Sequence, residues 1–377
     1  MRRSYAPRRR RPRPPRRPHE ARVRPGADKR LKKVFDQIGV PDPSPFVPDD
    51  FQSEAVAAVA RSDCLVTAPT GAGKTWIAEQ AIRNVFANGG RAWYACPLKA
   101  LSNAKYAEFA QAFGDANVGI LTGDRREQPG APIIIGTTEI LRNQLYDAMH
   151  SGVELETDFV VLDEAHFLGD YDRGVVWEEI MIYLPARIPL LLLSATIGNA
   201  REIADWLSAI RRKTCQVVPE TRRPVPLYPL FFAPSGTLLP LVVPTGPKAR
   251  LRLYQKVNAL FKQKRKPSLG PPWGLPPFGD MLQVLRAYDL LPAIFFLKSR
   301  ADCGNALKLC QVNRIENPER QAQLRERIDT LLAATPHLRN HRHLWHLENL
   351  AVGAHHSGQL PIWKLLLENL MSEGLLD

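Results

Sequence analysis

Short apolar runs alternate with segments of helical periodicity along most of this chain. Helical patterns occur, for example, at 74–87 and 99–113. The runs between them have the length and composition of buried strands and lie at 64–68, 91–96, 132–136, 158–162 and 189–194. This alternation predicts βαβ units in an α/β fold with a parallel sheet, which binds ligands at the carboxyl ends of its strands.

The pattern changes after the fifth run. Closely spaced prolines over 212–232 favour an extended connection rather than a helix. Residues 233–280, rich in Pro and Gly, are predicted to form a poorly regular insert. A strand predicted at 292–297 restarts the alternation, with helices predicted at 300–312 and 318–334. A chain of 377 residues with 45% hydrophobic content can form two cores, so we expect two domains.

Positive charge is concentrated at the N-terminus. Residues 1–33 hold fifteen Lys or Arg against Glu20 and Asp28, a net charge of +13 that equals the charge of the whole chain. Because this Arg/Pro-rich tail has few apolar side chains, we expect it to be disordered. Such an arm binds phosphate backbones without sequence preference, and a solvated linker is the alternative. Neither a signal peptide nor a membrane span is evident, so we expect a cytoplasmic protein with no membrane partner.

A glycine-rich turn follows the first predicted strand. The sequence APTGAGKT at 68–75 matches the phosphate-loop pattern GxxxxGK[ST], except that Ala68 replaces the first glycine. Backbone N–H groups of such a loop converge on phosphate oxygens at the start of a helix. Lys74 would reach the β and γ phosphates, and the Thr75 hydroxyl would hold Mg²⁺. The predicted nucleotide-binding residues are Ala68, Pro69, Thr70, Gly71, Ala72, Gly73, Lys74 and Thr75.

Two adjacent carboxylates end the fourth predicted strand, in the sequence VVLDEAHFLGD. Asp163 is suited to coordinate the Mg²⁺ of a bound nucleotide, usually through water. Glu164 is then placed to orient and deprotonate the water that attacks the γ phosphate. A helix N-terminus with acidic caps is the structural alternative, and the phosphate loop in the same domain argues against it. Together the two elements predict nucleoside triphosphate hydrolysis.

With these elements in place, the chain resembles the superfamily 2 helicases of the DExH type, most closely the superkiller-like RNA helicases. The resemblance extends from about residue 48 to the last residue. It implies ATP and Mg²⁺ as cofactors, and single-stranded or partly duplex nucleic acid as partner, with RNA favoured and DNA possible. It also implies that Phe51 stacks on the adenine, that Gln52 reads the edge of the base, and that His166 links ATP to the nucleic-acid motifs.

The resemblance implies four segments. Residues 1–33 would be the tail, and 34–215 the ATP-binding RecA-like P-loop domain. Residues 216–290 would be a linker and Pro/Gly-rich insert, and 291–377 a second, incomplete RecA-like domain. In the family, a further strand and an arginine finger follow the point where this chain ends at SEGLLD. We therefore expect a fragment of a longer enzyme, with a defective gene product as the alternative, and we expect turnover to fall more than binding.

Several short segments resemble the family's nucleic-acid motifs. Those in the first domain are PLKALSNAKYAEF, TGD, TTEILRNQLY and SATIGNAREIADWL, the last of which couples hydrolysis to nucleic-acid binding. PAIFFLKSRADC and AHHSGQLP resemble motifs of the second domain. Helix N-termini and small hydroxyls at such places suit phosphate contact without base readout. The residues assigned by resemblance are Pro97, Lys99, Ser102, Asn103, Thr122, Gly123, Thr137, Thr138, Glu139, Ser194, Thr196, Ser299, Arg300, His355, His356 and Gly358.

Other interpretations stay open at this point. The same motifs suit a DNA helicase, a translocase that does not unwind duplexes, or an ATP- and nucleic-acid-binding protein with little turnover. The histidine run at 337–346 contains His337, His341, His343 and His346. It lacks a complete ligand spacing for a metal, so we expect a solvated helix face. Five scattered cysteines without a CxxC pair are expected to be buried free thiols.

Overall fold

The structure, a computed structural model, describes residues 24–36, 38, 46–245, 250–263, 276–310, 315 and 317–377. These residues divide into two compact units. The first unit comprises residues 46–226, and the second comprises the described residues 24–38 and 227–377.

The first unit alternates strands and helices as the sequence predicts. Its strands are β1 Asp63–Thr67, β2 Ala92–Cys96, β3 Val118–Leu121, β4 Arg126–Glu127, β5 Ile133–Thr137, β6 Phe159–Leu162, β7 Leu190–Ser194 and β8 Cys215–Pro219. Its α-helices are α1 Asp50–Val59, α2 Lys74–Ala87, α3 Lys99–Phe113, α4 Thr138–Ser151, α5 Gly174–Tyr183 and α6 Ala200–Arg211.

One eight-stranded sheet organises the first unit, in the order β4-β3-β5-β2-β6-β7-β1-β8. All neighbours are parallel except β4, which runs antiparallel to β3. Alternate strand residues enter two cores: Val66 and Val161 pack with α1, α2 and α3, whereas Leu65 and Val160 pack with α4, α5 and α6. Burial on both faces explains why these strands are continuous apolar runs. The predicted α/β, RecA-like fold with a parallel sheet is confirmed.

A buried ion pair closes the amino end of β1. The Arg211 Nε donates to Asp63 Oδ2 at 2.6 Å, and both side chains are at most 1% exposed. The other Arg211 nitrogens donate to the carbonyls of Leu184 and Ile188, each at 2.7 Å. Asp63 Oδ1 accepts a hydrogen bond from the Leu190 backbone N–H at 3.0 Å. Since both charges are paired and hydrogen-bonded, the cluster fixes the end of α6 against β1 and β7.

The second unit is more regular than the sequence predicts. Its first strands form a three-stranded sheet and a hairpin, and the prediction of a poorly regular insert over 233–280 was wrong for the described residues. Pro244 lies in the two-stranded hairpin, where both strands are edges and tolerate proline. The elements are strands Gly26–Ala27, Leu230–Phe232, Thr237–Pro240, Val242–Thr245 and Arg250–Leu253, and α-helices Lys32–Phe35, Gln255–Lys262 and Phe278–Arg286.

The end of the predicted tail belongs to this unit. Gly26 and Ala27 pair with Thr237 and Leu238 in a parallel strand pair. Leu31 is 2% exposed and packs with Leu238. The prediction of disorder over 1–33 was therefore wrong for residues 24–33, where pairing and burial offset the polar composition; residues 1–23 lie outside the described residues. The domain borders at 34, 216 and 291 stay predictions.

The C-terminal part of the second unit is helical, with α-helices Arg300–Lys308, Pro318–Ala334, Leu344–Leu350 and Pro361–Ser372. The first two confirm the predicted helical stretches. The predicted strand at 292–297 was wrong: its residues alternate, with Phe295 packed on a core and Phe296 93% exposed, yet no described segment pairs with it. A second RecA-like domain stays a prediction.

Among the described residues, no helix is both long and apolar enough to cross a bilayer. The cytoplasmic location stays a prediction. All five cysteines are free; Cys64, Cys96, Cys215 and Cys310 are buried, and Cys303 is partly exposed.

Candidate nucleotide and nucleic-acid site

The phosphate loop connects β1 to α2. The Ala68 N–H donates to the Ser194 carbonyl at 3.1 Å, which extends the strand pairing by one residue, and Ala68 is fully buried. A methyl group therefore fits at the position where the pattern asks for glycine. Gly71 and Gly73 have φ angles of +86° and +76°, in the left-handed region that favours glycine. A Cβ atom on Gly73 would also overlap the Gln52 amide, so these two glycines are required by the turn.

Lys74 is the first residue of α2 and folds back over the loop. Its Nζ donates to the carbonyls of Ala68 at 2.8 Å and Pro69 at 3.2 Å. Burial lowers the pKa of Lys74, while the carboxylates of Glu164 and Asp163 act in the opposite direction. The ammonium group thus lies within electrostatic range of both carboxylates, as a shared phosphate site requires.

Asp163 follows β6 and is held on both carboxylate oxygens. Its Oδ1 accepts from the Glu164 N–H at 2.8 Å, and its Oδ2 accepts from the Tyr94 hydroxyl at 2.7 Å. Tyr94 lies in β2, and burial raises its pKa well above the usual value. Sequence reasoning missed Tyr94, whose only signal was a hydroxyl inside a buried apolar run.

Glu164 has φ +52°, which is uncommon for a residue other than glycine. Its Oε2 lies 3.2 Å from His166 Nδ1. Burial raises the pKa of Glu164, and the charge of Asp163 raises it further; His166, Lys74 and Lys105 oppose these effects. A carboxylate with a raised pKa is suited to take a proton from water. The structure thus brings His166 against the candidate base, and its predicted link to the nucleic-acid motifs stays a prediction.

Thr75 has a partner that the sequence did not indicate. The Lys105 ammonium donates to Thr75 Oγ1 at 2.7 Å and to Glu108 Oε2 at 2.7 Å. Lys105 lies in α3, within the predicted nucleic-acid motif at 97–109, and its side chain is 17% exposed. Its distance in sequence from Thr75 explains why motif spacing gave no indication of this contact.

The residues present fit a magnesium ion. The Thr75 hydroxyl and the Asp163 carboxylate are hard oxygen donors, which Mg²⁺ prefers. In the part of the chain that the structure describes, no group of three His, Cys, Asp or Glu side chains could hold a metal by itself. Two protein oxygens supplemented by phosphate oxygens and water are the usual arrangement for Mg²⁺ at a nucleotide.

Phe51 and Gln52, the predicted adenine contacts, lie beneath the loop. Phe51 is 7% exposed and belongs to the core with α2. Gln52 Oε1 accepts from the Asp49 N–H at 2.8 Å, and its Nε2 donates to the Ala72 carbonyl at 3.1 Å. These contacts give both residues a role in supporting the phosphate loop. Base recognition by them stays a prediction.

Three predicted nucleic-acid residues of the first unit meet beside α3. The Lys99 ammonium lies 3.1 Å from Asp124 Oδ1, which also accepts from the Thr122 hydroxyl at 2.9 Å. Asn103 Oδ1 accepts from Arg125 at 2.9 Å. The start of α3 and the TGD turn therefore form one polar surface, to which exposed Gly123 also belongs.

Several other predicted contact residues are buried. Ser102 is fully buried, and its hydroxyl donates to the carbonyls of Leu98 and Gly136, each at 3.3 Å. This side chain attaches α3 to β5, so its predicted phosphate contact is not available in this arrangement. The hydroxyls of Thr138 and Ser194 are buried and lack a hydrogen-bond partner among the described residues. The remaining positions are Pro97 (buried after β2), Thr137 (buried before α4), Glu139 (partly exposed in the first turn of α4) and Thr196 (exposed).

The predicted contacts of the second unit also lie together. Ser299 caps the helix Arg300–Lys308, accepting from the Asp302 N–H at 3.1 Å. A Cβ atom on Gly358 would lie 3.4 Å from Arg300 Cδ, so the two motif-like segments are neighbours. His356 Nδ1 accepts from the Gly358 N–H at 3.1 Å, and His355 Nε2 lies 2.7 Å from Glu368 Oε1.

The histidine run does not form a solvated helix face, so that prediction was wrong. Gln359 lies among His341, His343 and His356, with contacts of 3.2, 3.0 and 3.4 Å. His341 stacks on Trp363 with ring centroids 3.7 Å apart. Burial lowers the pKa of His343 to about 4. Most histidines of the run are therefore packed in the second unit, His341 and His343 around Gln359 and Trp363. Of the four histidines in the run, only His337 is exposed.

Comparison with known families agrees with this geometry. Residues 49–203 match the family model described as DEAD/DEAH box helicase. Residues 49–203 form a DEAD/DEAH box helicase domain. The matched range contains the phosphate loop, both carboxylates of the DEAH sequence and the polar surface beside α3.

Sequence similarity to known helicases extends beyond this domain over most of the chain. The chloroplastic DExH-box ATP-dependent RNA helicase of Arabidopsis thaliana is 36% identical over 87% of the chain and 31% of its own length. Superkiller complex protein 2 of Homo sapiens is 36% identical over 88% of the chain and 28% of its own length. The ATP-dependent RNA helicase mtr4 of Schizosaccharomyces pombe is 34% identical over 88% of the chain and 31% of its own length. The chain is a superkiller-like superfamily 2 sequence that spans less than a third of these relatives' lengths.

Proposed function

We propose that this chain is the core of an ATP-dependent RNA helicase that couples ATP hydrolysis to movement along a strand. One observation carries the proposal: Lys74, Thr75 and the carboxylates of Asp163 and Glu164 lie at the carboxyl ends of β1 and β6. The same edge of the sheet carries the polar surface of Lys99, Asn103 and Asp124. The residues proposed for hydrolysis and those proposed for phosphate-backbone contact therefore follow strands of one sheet.

Each site residue has a role that its contacts support. The loop N–H groups and the Lys74 ammonium bind the β and γ phosphates. Thr75, and Asp163 directly or through water, would hold Mg²⁺, which would supply positive charge against the phosphate oxygens. Glu164 accepts a proton from the water that attacks the γ phosphate. His166, whose Nδ1 lies 3.2 Å from Glu164 Oε2, holds the carboxylate in its orientation.

RNA is the proposed strand because two of the three relatives bear the words RNA helicase in their names. Contacts from Lys99 and Asn103 would grip phosphates and sugars, which does not by itself separate RNA from DNA. A DNA helicase thus remains the second candidate. A third is a binding protein with little turnover.

The test is ATP hydrolysis by the 377-residue chain with single-stranded RNA or DNA of the same length and sequence. The proposal predicts that RNA stimulates hydrolysis more strongly than DNA. Stronger stimulation by DNA would favour the DNA helicase, and ATP binding without stimulated turnover would favour the binding protein. A strand-displacement assay on a duplex with a single-stranded tail then distinguishes a helicase from a translocase that does not unwind.

A further inference from the structure

One segment of the first unit touches both predicted magnesium ligands. From β2, the Tyr94 hydroxyl donates to Asp163 Oδ2 at 2.7 Å. From α3, the Lys105 ammonium donates to Thr75 Oγ1 at 2.7 Å. The β2–α3 segment (92–113) also carries Lys99, a predicted nucleic-acid contact, at the first position of α3. The metal end of the nucleotide site and the start of the nucleic-acid surface are thus joined through one strand and one helix.

Lys105 and a metal ion are alternative partners of the Thr75 oxygen. The ammonium group occupies a position beside Oγ1 that a bound metal ion would occupy. Two cations at one small oxygen repel each other strongly. Lys105 has a second partner on its own helix, since Glu108 Oε2 lies 2.7 Å away and its side chain is 48% exposed. The ammonium can therefore leave Thr75 and keep an ion pair.

Lys105 is also fixed to the nucleic-acid surface by the helix that carries it. Lys99 and Lys105 are six residues apart in α3, roughly 9 Å along the axis. The Ser102 hydroxyl attaches the helix to β5 between them. Because Ser102 anchors α3 to β5 at this point, a phosphate backbone that draws Lys99 and Asn103 away from Asp124 and Arg125 would tilt the helix about the anchor and so shift the Lys105 ammonium relative to Thr75. Tyr94, by contrast, is fully buried in the sheet and holds Asp163 in place.

We propose that Lys105 is a positioning residue that couples the nucleic-acid surface to the magnesium end of the ATP site by competing for the Thr75 hydroxyl. The inference rests on the proposed function. Because linkage is reciprocal, nucleic acid that draws Lys105 from Thr75 favours binding of Mg²⁺ with ATP, and Mg²⁺ with ATP favours nucleic-acid binding. Lys105 would exert this effect without contacting either the reacting phosphate or the strand.

The test measures binding rather than turnover. The affinity of the 377-residue chain for a fluorescent, non-hydrolysable ATP analogue is measured over a range of Mg²⁺ concentrations, with and without single-stranded oligouridylate. In the parent, the RNA is expected to lower the half-saturating Mg²⁺ concentration by roughly 5-fold or more. The Lys105→Met variant is expected to need less Mg²⁺ than the parent without RNA, and to respond little to RNA.

Three further variants control for charge and folding. Arg61→Met removes a cation just before the amino end of β1, where Arg61 is exposed, and should behave as the parent. Lys105→Arg keeps the cation and should retain the RNA response. Glu108→Gln removes the alternative partner and should raise the Mg²⁺ requirement.

Unchanged Mg²⁺ dependence and RNA response in Lys105→Met, or the same changes in Arg61→Met, would overturn the inference while leaving the ATP site intact. A parent chain that shows no Mg²⁺-dependent binding of the analogue would overturn the proposed function and this inference together.

Discussion

The Tyr94 hydroxyl donates a 2.7 Å hydrogen bond to Asp163 Oδ2, across neighbouring strands β2 and β6. Asp163 Oδ1 accepts from the Glu164 N–H, so hydrogen bonds to both oxygens fix the orientation of the carboxylate. Groups that orient a metal ligand typically change metal affinity by about 10- to 100-fold when they are removed. Tyr94 therefore belongs to the site through its hold on Asp163.

Tyr94→Phe should raise the Mg²⁺ concentration needed for half-maximal ATP binding by about 10-fold or more, because Asp163 loses its fixed orientation. Titration of Mg²⁺ at constant ATP analogue measures this. The variant Tyr183→Phe changes an exposed tyrosine at the end of α5 and serves as control. An unchanged Mg²⁺ requirement in Tyr94→Phe would refute the positioning role.

Glu164→Gln should bind ATP about as well as the parent but lower hydrolysis by roughly 10²- to 10⁴-fold, the usual contribution of a general base. The amide keeps the size of the side chain and cannot accept the proton. Binding of the analogue and initial rates of phosphate release test the two halves of this prediction. Retention of most of the parent's rate would exclude Glu164 as the base.

The pH dependence of hydrolysis should follow Glu164. Burial and the charge of Asp163 raise its pKa above the usual value of 4.5. The base acts only when ionised, so the rate should fall as the pH decreases through this raised pKa. Since His166 lowers the pKa of Glu164, His166→Gln should move the acid limb of the profile to higher pH. A limb that moves to lower pH, or not at all, would contradict this electrostatic account.

The Lys99 ammonium lies 3.1 Å from Asp124 Oδ1. If Lys99 binds nucleic acid as proposed, Asp124 would compete with the strand for it. Asp124→Asn should therefore tighten binding of single-stranded RNA, whereas Lys99→Gln should weaken it. If Lys99 contacts one phosphate, Lys99→Gln should also reduce the slope of log affinity against log salt by about 0.7. Anisotropy titrations at several salt concentrations measure both effects; equal slopes for parent and Lys99→Gln would remove Lys99 from the nucleic-acid surface.

Arg211→Ala should reduce the free energy of unfolding of the first unit by about 3–5 kcal/mol, because it leaves the buried Asp63 carboxylate without its main partner. Arg201→Ala on the exposed face of α6 should change it by at most about 0.5 kcal/mol. Urea unfolding monitored by far-UV circular dichroism provides both values. A small effect of Arg211→Ala would show that water or Lys213, 3.4 Å from Asp63, compensates.

Local sequence signals predicted most of the first unit. Helices α2 and α3 have the predicted bounds, because each begins directly after a strand and its connecting turn. The loop at 68–75 and the carboxylates at 163 and 164 were likewise recognisable, since their chemistry depends on residues that are adjacent in sequence.

Contacts between distant residues were not predictable in this way. Tyr94 and Asp163 are 69 residues apart, and Lys105 and Thr75 are 30 apart. Ser102 resembled a phosphate contact, yet the fold buries it against β5. Residues 24–33 had the composition of a disordered tail, but pairing with Thr237–Leu238 and burial of Leu31 order them. In each case, a tertiary partner outside the local pattern decided the outcome.

The central claim is that Lys74 and the two carboxylates at 163 and 164 serve one magnesium-bound ATP. Its most direct measurement is the ATP affinity of Lys74→Ala in the presence of Mg²⁺, compared with the parent and with Arg61→Ala at the opposite end of β1. We expect Lys74→Ala to lose about 10-fold or more in affinity, the equivalent of one charge-assisted hydrogen bond to phosphate, with Arg61→Ala unchanged. Equal ATP affinity of Lys74→Ala and the parent would contradict the account.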